Sequence, residues 1–154
     1  MTEQEKQFMR RAIALAQMAM NSGEGGPYGA VVVKDGKIVG ESGNKINKNN
    51  DPTAHAEIEA IRNACNQLQR TDLEGCELYA SCEPCPMCAS AFYFAKVSKV
   101  FYACTREDSA DAGFDNRHIY RELVLNPTDR KIPMENGLRQ ESLKVFEEWL
   151  EKKG

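Results

Sequence analysis

Residues 81–90, SCEPCPMCAS, carry three cysteines within seven positions and two prolines between them. The apolar run at 76–80 before them predicts a strand, and Pro86 predicts the first position of a helix. Cys85 and Cys88 are three residues apart, so they share one face at the start of that helix. The stretch therefore predicts a strand-to-helix junction that brings two thiols to a common point.

A second motif, HAE at residues 55–57, lies at the start of another predicted helix, for which Asp51 and Pro52 read as N-cap and first residue. Together with Cys85 and Cys88, His55 completes a set of two thiolates and one imidazole, which suits zinc. Three protein ligands leave the fourth tetrahedral position for water, as in catalytic zinc sites. Zinc lowers the pKa of such a water toward neutrality.

Glu57 is the candidate proton carrier. Residues two apart do not face each other within a helix, but near a helix end both can reach a site beyond it. A carboxylate beside a metal-bound water suits general acid–base catalysis. The order H-x-E then P-C-x-x-C is the signature of zinc nucleobase deaminases, in which the Glu is not a ligand.

Other interpretations of the cysteines remain open from sequence. Cys85 and Cys88 also fit a C-x-x-C redox pair. A fourth ligand from Cys82 would close the zinc site and indicate a zinc-stabilised binding module without turnover. We favour Cys82 as a strand-end residue outside the ligand set, because Pro84 separates it from the helix.

Around these motifs the chain predicts the order α-β-β-α-β-α-β followed by a helical tail. Thr2 and Glu5 form a capping box for the first helix, and Asp35-Gly36 predicts the turn of a hairpin. A hairpin followed by a βαβ unit predicts a mixed sheet with helices on both faces.

The composition of the chain limits the number of domains, the partners and the location that we expect. The 154 residues carry 28% charged side chains and a net charge of −3, which predicts one globular domain without global attraction to nucleic acid. The N-terminus does not resemble a signal peptide, and no apolar run is long enough to span a membrane. We therefore expect a soluble, cytoplasmic protein with reduced thiols.

Four blocks carry a resemblance to a known family: residues 25–30 (GGPYGA), 50–57 (NDPTAHAE), 81–88 (SCEPCPMC) and 112–115 (AGFD). They resemble the cytidine deaminase-like superfamily of zinc-dependent hydrolases, over nearly the whole chain. The first three blocks are similar to purine deaminases in general, including tRNA adenosine deaminases. The last block, followed by Ile119-Tyr120, is similar to bacterial guanine deaminases.

The resemblance implies an α/β fold of three layers, α/β/α, around a five-stranded mixed sheet. It implies one zinc-dependent deaminase domain over residues 1–154, with one Zn²⁺ per chain held by His55, Cys85 and Cys88. Glu57 is implied as the proton shuttle.

The resemblance also implies how substrate and partner subunits bind. Asn44 matches a position that contacts the base, and Tyr28 is a further candidate for the substrate site. A homodimer is implied in which the C-terminal segment, about residues 105–154, is exchanged, so that Asp115 and Asn116 serve the partner's site.

Two positions depart from the family pattern. An acidic residue that accepts hydrogen bonds from guanine N–H groups is expected after Gly-Phe-Asp, and Asn116 stands there. The chain ends in EKKG at residues 151–154, where family members tend to end in an aromatic residue. Both departures concern substrate choice and leave the zinc chemistry intact.

The sequence therefore predicts a hydrolase of cyclic-amidine C–N bonds in purine nucleobase catabolism. The favoured reaction is guanine to xanthine plus ammonia. The alternatives are deamination of tRNA adenosine, or of another small heterocycle or nucleoside such as cytosine, adenine, guanosine or an aminotriazine. A small-molecule substrate and no membrane partner are expected, and nucleic acid is disfavoured.

Overall fold

The computed structural model describes all of residues 1–154. In chain order the elements are α1 (Glu3–Ser22), β1 (Gly29–Lys34), β2 (Lys37–Gly43), α2 (Ala56–Leu68), β3 (Cys76–Cys82), α3 (Pro86–Ala95), β4 (Lys99–Cys104), α4 (Arg106–Asp111), α5 (His118–Leu123), a 3-10 helix (Pro127–Asp129) and α6 (Arg139–Lys153). The predicted order of helices and strands is confirmed.

The strands form one mixed sheet in the order β2-β1-β3-β4. β1 runs antiparallel to both β2 and β3, whereas β3 and β4 are parallel. The predicted hairpin turn is present at Asp35 and Gly36, whose φ angles are 49° and 75°. Two consecutive positive φ angles are what a tight hairpin turn requires, and Asp-Gly adopts them readily.

The sheet is covered on both faces, which confirms the three-layer α/β/α architecture. Alternate side chains of β1 belong to two core clusters on opposite faces of the sheet. Val31 and Val33 pack with α1 and Tyr79 on one face, and Ala30 and Val32 pack on the other. On that second face, small side chains of α2 and α3 meet the sheet: Ala56, Ala60, Ala64 and Ala95. Small residues let α2 approach closely, which brings its first turn down to the end of the strands.

Two expectations about the elements are wrong. The sheet has four strands, not the five that the resemblance implied. After β4 the chain forms helices, and residues 130–138 between the last two contain Pro133 and Gly137 and pair with no strand. Helix α2 begins at Ala56 and not at Pro52, because the Asp51 carboxylate accepts from the backbone N–H and hydroxyl of Thr53 and forms a local turn.

The chain divides into two compact units, Met1–Arg117 and His118–Gly154. The first unit contains the whole sheet and helices α1 to α4. Within the second unit, the Arg130 guanidinium donates to the Leu123 carbonyl, and the Lys131 N–H donates to the Glu122 carboxylate. None of the helices in the structure has the length and apolar character needed to cross a lipid bilayer.

Candidate metal centre and active site

His55, Cys85 and Cys88 form the core of the candidate site. Nδ1 of His55 lies 3.5 Å from Sγ of Cys85 and 3.5 Å from Sγ of Cys88, and the three ligand atoms all lie within 4.8 Å of one another. Tetrahedral zinc with Zn–S of about 2.3 Å and Zn–N of about 2.0–2.1 Å requires a sulfur–nitrogen separation of about 3.5 Å. The three atoms therefore fit a single tetrahedral ion, and the donor set suits zinc.

The local sequence explains why these side chains meet. His55 is the N-cap residue of α2, and Cys85 is the N-cap residue of α3, which begins at Pro86. Neither side chain forms a capping hydrogen bond with its own helix. Both are consequently available to a ligand, and the partial positive charge of the two helix N-termini favours thiolate there.

The two ligand thiols differ in acidity. Hydrogen bonding from the Cys88 thiol, and then from His55, lowers the pKa of Cys85 to about 4 against the effect of burial. The same contact with Cys85, with burial, raises the pKa of Cys88. Hydrogen bonding to Cys85 also raises the pKa of His55. These hydrogen bonds favour the thiolate form of Cys85, and metal binding requires both thiols to lose their protons.

Glu57 lies in the first turn of α2 and is only 6% exposed. Burial raises the pKa of its carboxyl group, against hydrogen bonds from its own backbone N–H and from the Cys88 thiol. A carboxyl group with a raised pKa beside the metal ligands is suited both to accept and to donate a proton. The structure therefore has a carboxyl group able to carry a proton next to the ligands and does not include it among them.

Asn44, which follows β2, is buried, and its orientation is fixed by its neighbours. Its backbone N–H donates to the Tyr28 carbonyl at 2.9 Å, and its side-chain Oδ1 accepts from the Ile46 N–H at 3.1 Å. The Nδ2 amide group is the remaining donor of this side chain. A Cβ added at Gly25 would lie 2.1 Å from Asn44 Oδ1, so only glycine leaves room for this arrangement.

Tyr28 lies within electrostatic range of the candidate site: burial chiefly raises the pKa of its hydroxyl, and the charges of Glu57 and Cys85 add to this rise. Its hydroxyl is bound to Ser109 of α4 at 2.6 Å, and its ring packs edge-on against Phe114 with the ring centroids 5.5 Å apart. Burial raises the pKa of the Tyr28 hydroxyl, so that it stays protonated and able to donate.

The segment after α4 is more open. Asp115 has a side chain that is 49% exposed, and the Arg117 guanidinium donates to both of its carboxylate oxygens at 2.9 and 2.8 Å. Asn116 is half-buried. Phe114, the residue before them, packs against Tyr28, whereas His55, Cys85 and Cys88 converge directly.

Cys82 has a different environment from the ligand thiols. It ends β3, and its thiol donates to the Thr105 carbonyl at 3.6 Å. Burial raises its pKa to about 11. It does not belong to the group of three ligand atoms at His55, Cys85 and Cys88.

Comparison with known proteins identifies the family. Residues 2–104 match the family described as the cytidine and deoxycytidylate deaminase zinc-binding region. The chain belongs to this deaminase family. It is 49% identical over 142 residues to the guanine deaminase of Bacillus subtilis, a match that covers 92% of this chain and 91% of that protein. The X-ray structure of guanine deaminase from Bacillus subtilis superposes with a TM-score of 0.93 at 46% identity, over 98% of this deaminase and 95% of the other chain.

Two further relatives extend the comparison. A tRNA-specific adenosine deaminase of Aquifex aeolicus is 43% identical over 96 residues, which are 62% of this deaminase and 63% of that protein. A guanine deaminase structure from Nitrosomonas europaea superposes with a TM-score of 0.67 at 29% identity, over 71% of this chain and 63% of the other. The resemblance found from sequence is confirmed, and the protein is a hydrolytic deaminase.

Sequence reasoning missed three contributors to the deaminase site. Gly25 belongs to the first of the four sequence blocks, but nothing in the sequence indicated its contact with Asn44. Ser109 belongs to no motif and reaches Tyr28 only through the fold. The Arg106 guanidinium donates to Glu83 at 3.0 Å and ties the start of α4 to the chain before Cys85. For Ser109 and Arg106 the only sequence signal is the helical tail predicted after the last strand.

Proposed function

We propose that this deaminase converts guanine and water to xanthine and ammonia. The observation that carries the proposal is the convergence of His55, Cys85 and Cys88 at tetrahedral spacing beside the buried Glu57. The match to a guanine deaminase over 92% of the chain supports this choice of base.

One Zn²⁺ per chain is proposed at the three ligands. When bound there, zinc would supply a water molecule whose pKa is lowered toward neutrality. The chain's own contribution is two thiols and an imidazole held at helix N-termini, where negative charge is favoured. Such thiol ligands stay reduced in a reducing compartment such as the cytoplasm, which is the proposed location.

Glu57 is proposed to carry the protons of the reaction. Hydrolytic deamination adds water at C2 of guanine, delivers a proton to the adjacent ring nitrogen and another to the departing amine. Ammonia then leaves, and xanthine remains. Burial keeps the pKa of Glu57 raised, so one carboxyl group can accept a proton at the first step and donate it later.

The base is proposed to be oriented from two sides. Asn44 would donate through Nδ2 to an acceptor atom of the ring, because its Oδ1 is already engaged by Ile46. Asp115 and Asn116 are proposed to bind the polar edge of the base in their own chain, and not in the partner's site that the resemblance implied, because Phe114 before them packs on Tyr28. Tyr28 is proposed to border the base pocket. The Arg117 guanidinium fixes the orientation of the Asp115 carboxylate, whose oxygens can accept further hydrogen bonds.

A homodimer with an exchanged C-terminal segment is also proposed, with the exchange beginning after residues 113–116, because Ser109 and Phe114 contact Tyr28 of their own chain. Large apolar side chains are exposed in each compact unit: Tyr93 at 84% and Phe94 at 87% in the first, and Val124 at 85% and Ile132 at 83% in the second. Exposed apolar surface of this kind is typical of protein interfaces. Light scattering of the intact protein tests the dimer. Cross-linking between subunits labelled with different isotopes tests the exchange.

Ammonia release by the zinc-loaded protein tests the substrate. The panel is guanine, guanosine, adenine, cytosine, ammeline and a tRNA anticodon stem-loop. Guanine should be turned over fastest, with a kcat/KM at least about 100-fold above that of the other members, since a site that hydrogen-bonds its substrate rejects analogues that leave its polar groups unpaired. Rapid turnover of another member with slow guanine would overturn the substrate but retain the zinc chemistry.

Deamination of tRNA adenosine is the second candidate, favoured by the 43% identity to a tRNA-specific adenosine deaminase. RNA binding usually requires a basic surface, and the net charge here is −3. The stem-loop in the panel decides between the two candidates. Inosine formation in the stem-loop without release of ammonia from free bases would establish this alternative.

A further inference from the structure

Ser109 is the centre of a directional chain of hydrogen bonds beside the proposed active site. Its hydroxyl lies 2.6 Å from the Tyr28 hydroxyl and 3.1 Å from the Phe114 carbonyl oxygen. A carbonyl oxygen only accepts, so the single hydroxyl proton of Ser109 goes to Phe114. The Tyr28 hydroxyl must therefore donate to Ser109. The chain runs Tyr28 to Ser109 to Phe114.

Ser109 holds Phe114 through its backbone as well. The Phe114 N–H donates to the Ser109 carbonyl at 2.9 Å, and Gly113 between them reverses the chain with a φ of 97°. The Phe114 ring also meets the Tyr28 ring edge-on at 86°. Ser109 and Tyr28 thus fix both the backbone and the side chain of Phe114, the residue directly before Asp115.

The two ends of this chain belong to different parts of the site. Tyr28 belongs to the segment between α1 and β1, and its carbonyl accepts from Asn44. Phe114 belongs to the segment after α4, which carries Asp115 and Asn116. Helix α4 has its own anchors, because Thr105 and Asp108 form a capping box at its start. The contacts of Ser109 and Phe114 with Tyr28 are what join the segment after α4 to the wall formed by Tyr28 and Asn44.

We propose that Ser109 is a positioning residue that sets the affinity for the base by holding the 113–116 segment against Tyr28. The proposal rests on the proposed guanine deamination, since the segment is the one expected to bind the polar edge of the base. Ser109 touches neither the metal ligands nor Glu57 through any hydrogen bond in the structure. Its effect is therefore on substrate binding and not on proton transfer.

Replacement of the hydroxyl tests this assignment. Ser109→Ala should raise KM for guanine by about 3- to 10-fold, the effect of one lost neutral hydrogen bond, with kcat within about 2-fold of the parent. Zinc content should not change, because the ligand set is untouched. Ser109→Thr keeps a hydroxyl in place and should restore KM to within about 2-fold of the parent.

Tyr28→Phe gives a second variant that does not depend on the folding of Ser109→Ala. It removes the hydrogen bond to Ser109 and keeps the ring contact with Phe114, so KM should rise by a smaller factor. Because the two hydroxyls act in one chain, the double variant should be no worse than about 2-fold beyond the worse single variant. Multiplication of the two single effects would mean that they act independently, which contradicts the proposal.

Ser98→Ala is the matched control. The Ser98 hydroxyl likewise takes part in a hydrogen bond, because it accepts from the Gly75 N–H at 2.8 Å. This contact lies at the starts of β3 and β4, whereas Cys85, Cys88 and Ser109 follow the ends of these strands. Its KM and kcat for guanine should match those of the parent. A KM for Ser109→Ala equal to that of the parent, or a loss in kcat alone, overturns the positioning role.

Failure of the substrate assignment can be distinguished from failure of the positioning role of Ser109. If the parent protein releases no ammonia from guanine, the substrate assignment fails, and hydrogen exchange then tests the positioning role without any substrate. Ser109→Ala should accelerate amide exchange at residues 113–116, whereas Ser98→Ala should not. Unchanged exchange in that segment overturns the inference whatever the substrate is.

Discussion

The metal centre and the segment after α4 are built in opposite ways. His55 and Cys85 are fixed as N-cap residues of two helices that pack on the sheet, and Cys88 is fully buried. Asp115, in contrast, is exposed and is held by Arg117, two residues away. The part proposed to perform the chemistry is anchored by the core, and the part proposed to select the base lies on an exposed segment. Residues on such exposed segments can change without disturbing the core that holds the metal ligands.

The largest expected effect is at the metal ligands themselves. Cys88→Ala should abolish zinc binding and reduce turnover to background, because a three-ligand site cannot hold its ion tightly with two. Cys82→Ala is the matched control, since Cys82 is also buried and belongs to the same C-x-x-C run. Zinc per chain, by atomic absorption, should be near zero in the first variant and unchanged in the second. Loss of zinc in Cys82→Ala would mean a closed, four-ligand site.

Glu57 should show the next largest effect. Glu57→Gln keeps the size of the side chain but cannot carry a proton, so kcat should fall by about 10²- to 10⁴-fold. Zinc content should stay the same, because Glu57 is not among the ligand atoms. Glu59→Gln is the control: Glu59 lies in the same helical turn but pairs with Arg62, and its loss should leave kcat unchanged. An emptied metal site in Glu57→Gln would show that Glu57 is a ligand.

Gly25 lies against Asn44, and its replacement should have an intermediate effect. A Cβ there would lie 2.1 Å from Asn44 Oδ1 and 2.5 Å from its backbone oxygen, so Gly25→Ala must displace Asn44. Misplacement of a substrate-orienting group by about 1 Å can cost about 10²-fold, and we expect kcat/KM to fall by about 10- to 100-fold. Steady-state kinetics with guanine measure the change.

The control for this variant is Gly137→Ala. No atom lies within 4 Å of a Cβ at Gly137, so this substitution should be neutral. If Gly25→Ala retained the parent kcat/KM, Asn44 would not orient the base in the proposed way.

The metal centre was predictable from sequence because its signal is local. The three-residue spacing of Cys85 and Cys88 and the proline between them predict that both thiols lie at the start of one helix. In the structure Cys85 is the N-cap residue of α3 and Pro86 is its first residue. The start of α2 was predicted incorrectly at Asp51-Pro52, because a helix N-cap and a polar turn use the same residue types. Local chemistry cannot distinguish them, and the packing of Ala56 and Ala60 against the sheet fixes the start at Ala56.

Contacts that join distant segments were not predictable in the same way. Tyr28 and Ser109 are 81 positions apart in the chain, and no spacing rule links them. The fifth strand was an expectation from the family and not from the residues, whose β patterns number four. The side chain of Asn44 was identified by resemblance, but which of its atoms is available to substrate follows only from the contact with Ile46.

The smallest expected effect is at Asn116, where the chain departs from the family pattern. An amide can donate or accept, whereas a carboxylate only accepts and forms hydrogen bonds about twice as strong with N–H donors. Asn116→Asp should therefore lower KM for guanine, which presents N–H groups, by about 2- to 10-fold. The kcat should not change, because Glu57 and the ligands are unaffected.

The cost of placing a second negative charge next to Asp115 limits the gain. Arg117 already neutralises Asp115, so the new carboxylate at position 116 would compete with Asp115 for the same cation. The decrease in KM for guanine should consequently be largest above the pKa of the new carboxyl group. It should disappear as the pH falls below that pKa, because the group then becomes protonated. Kinetics with guanine from pH 8 down to about pH 4, the ordinary range of an aspartic acid, measure this dependence. A KM that rises in Asn116→Asp at every pH would mean that the amide of Asn116 donates to the base, which reverses the direction of the proposed contact.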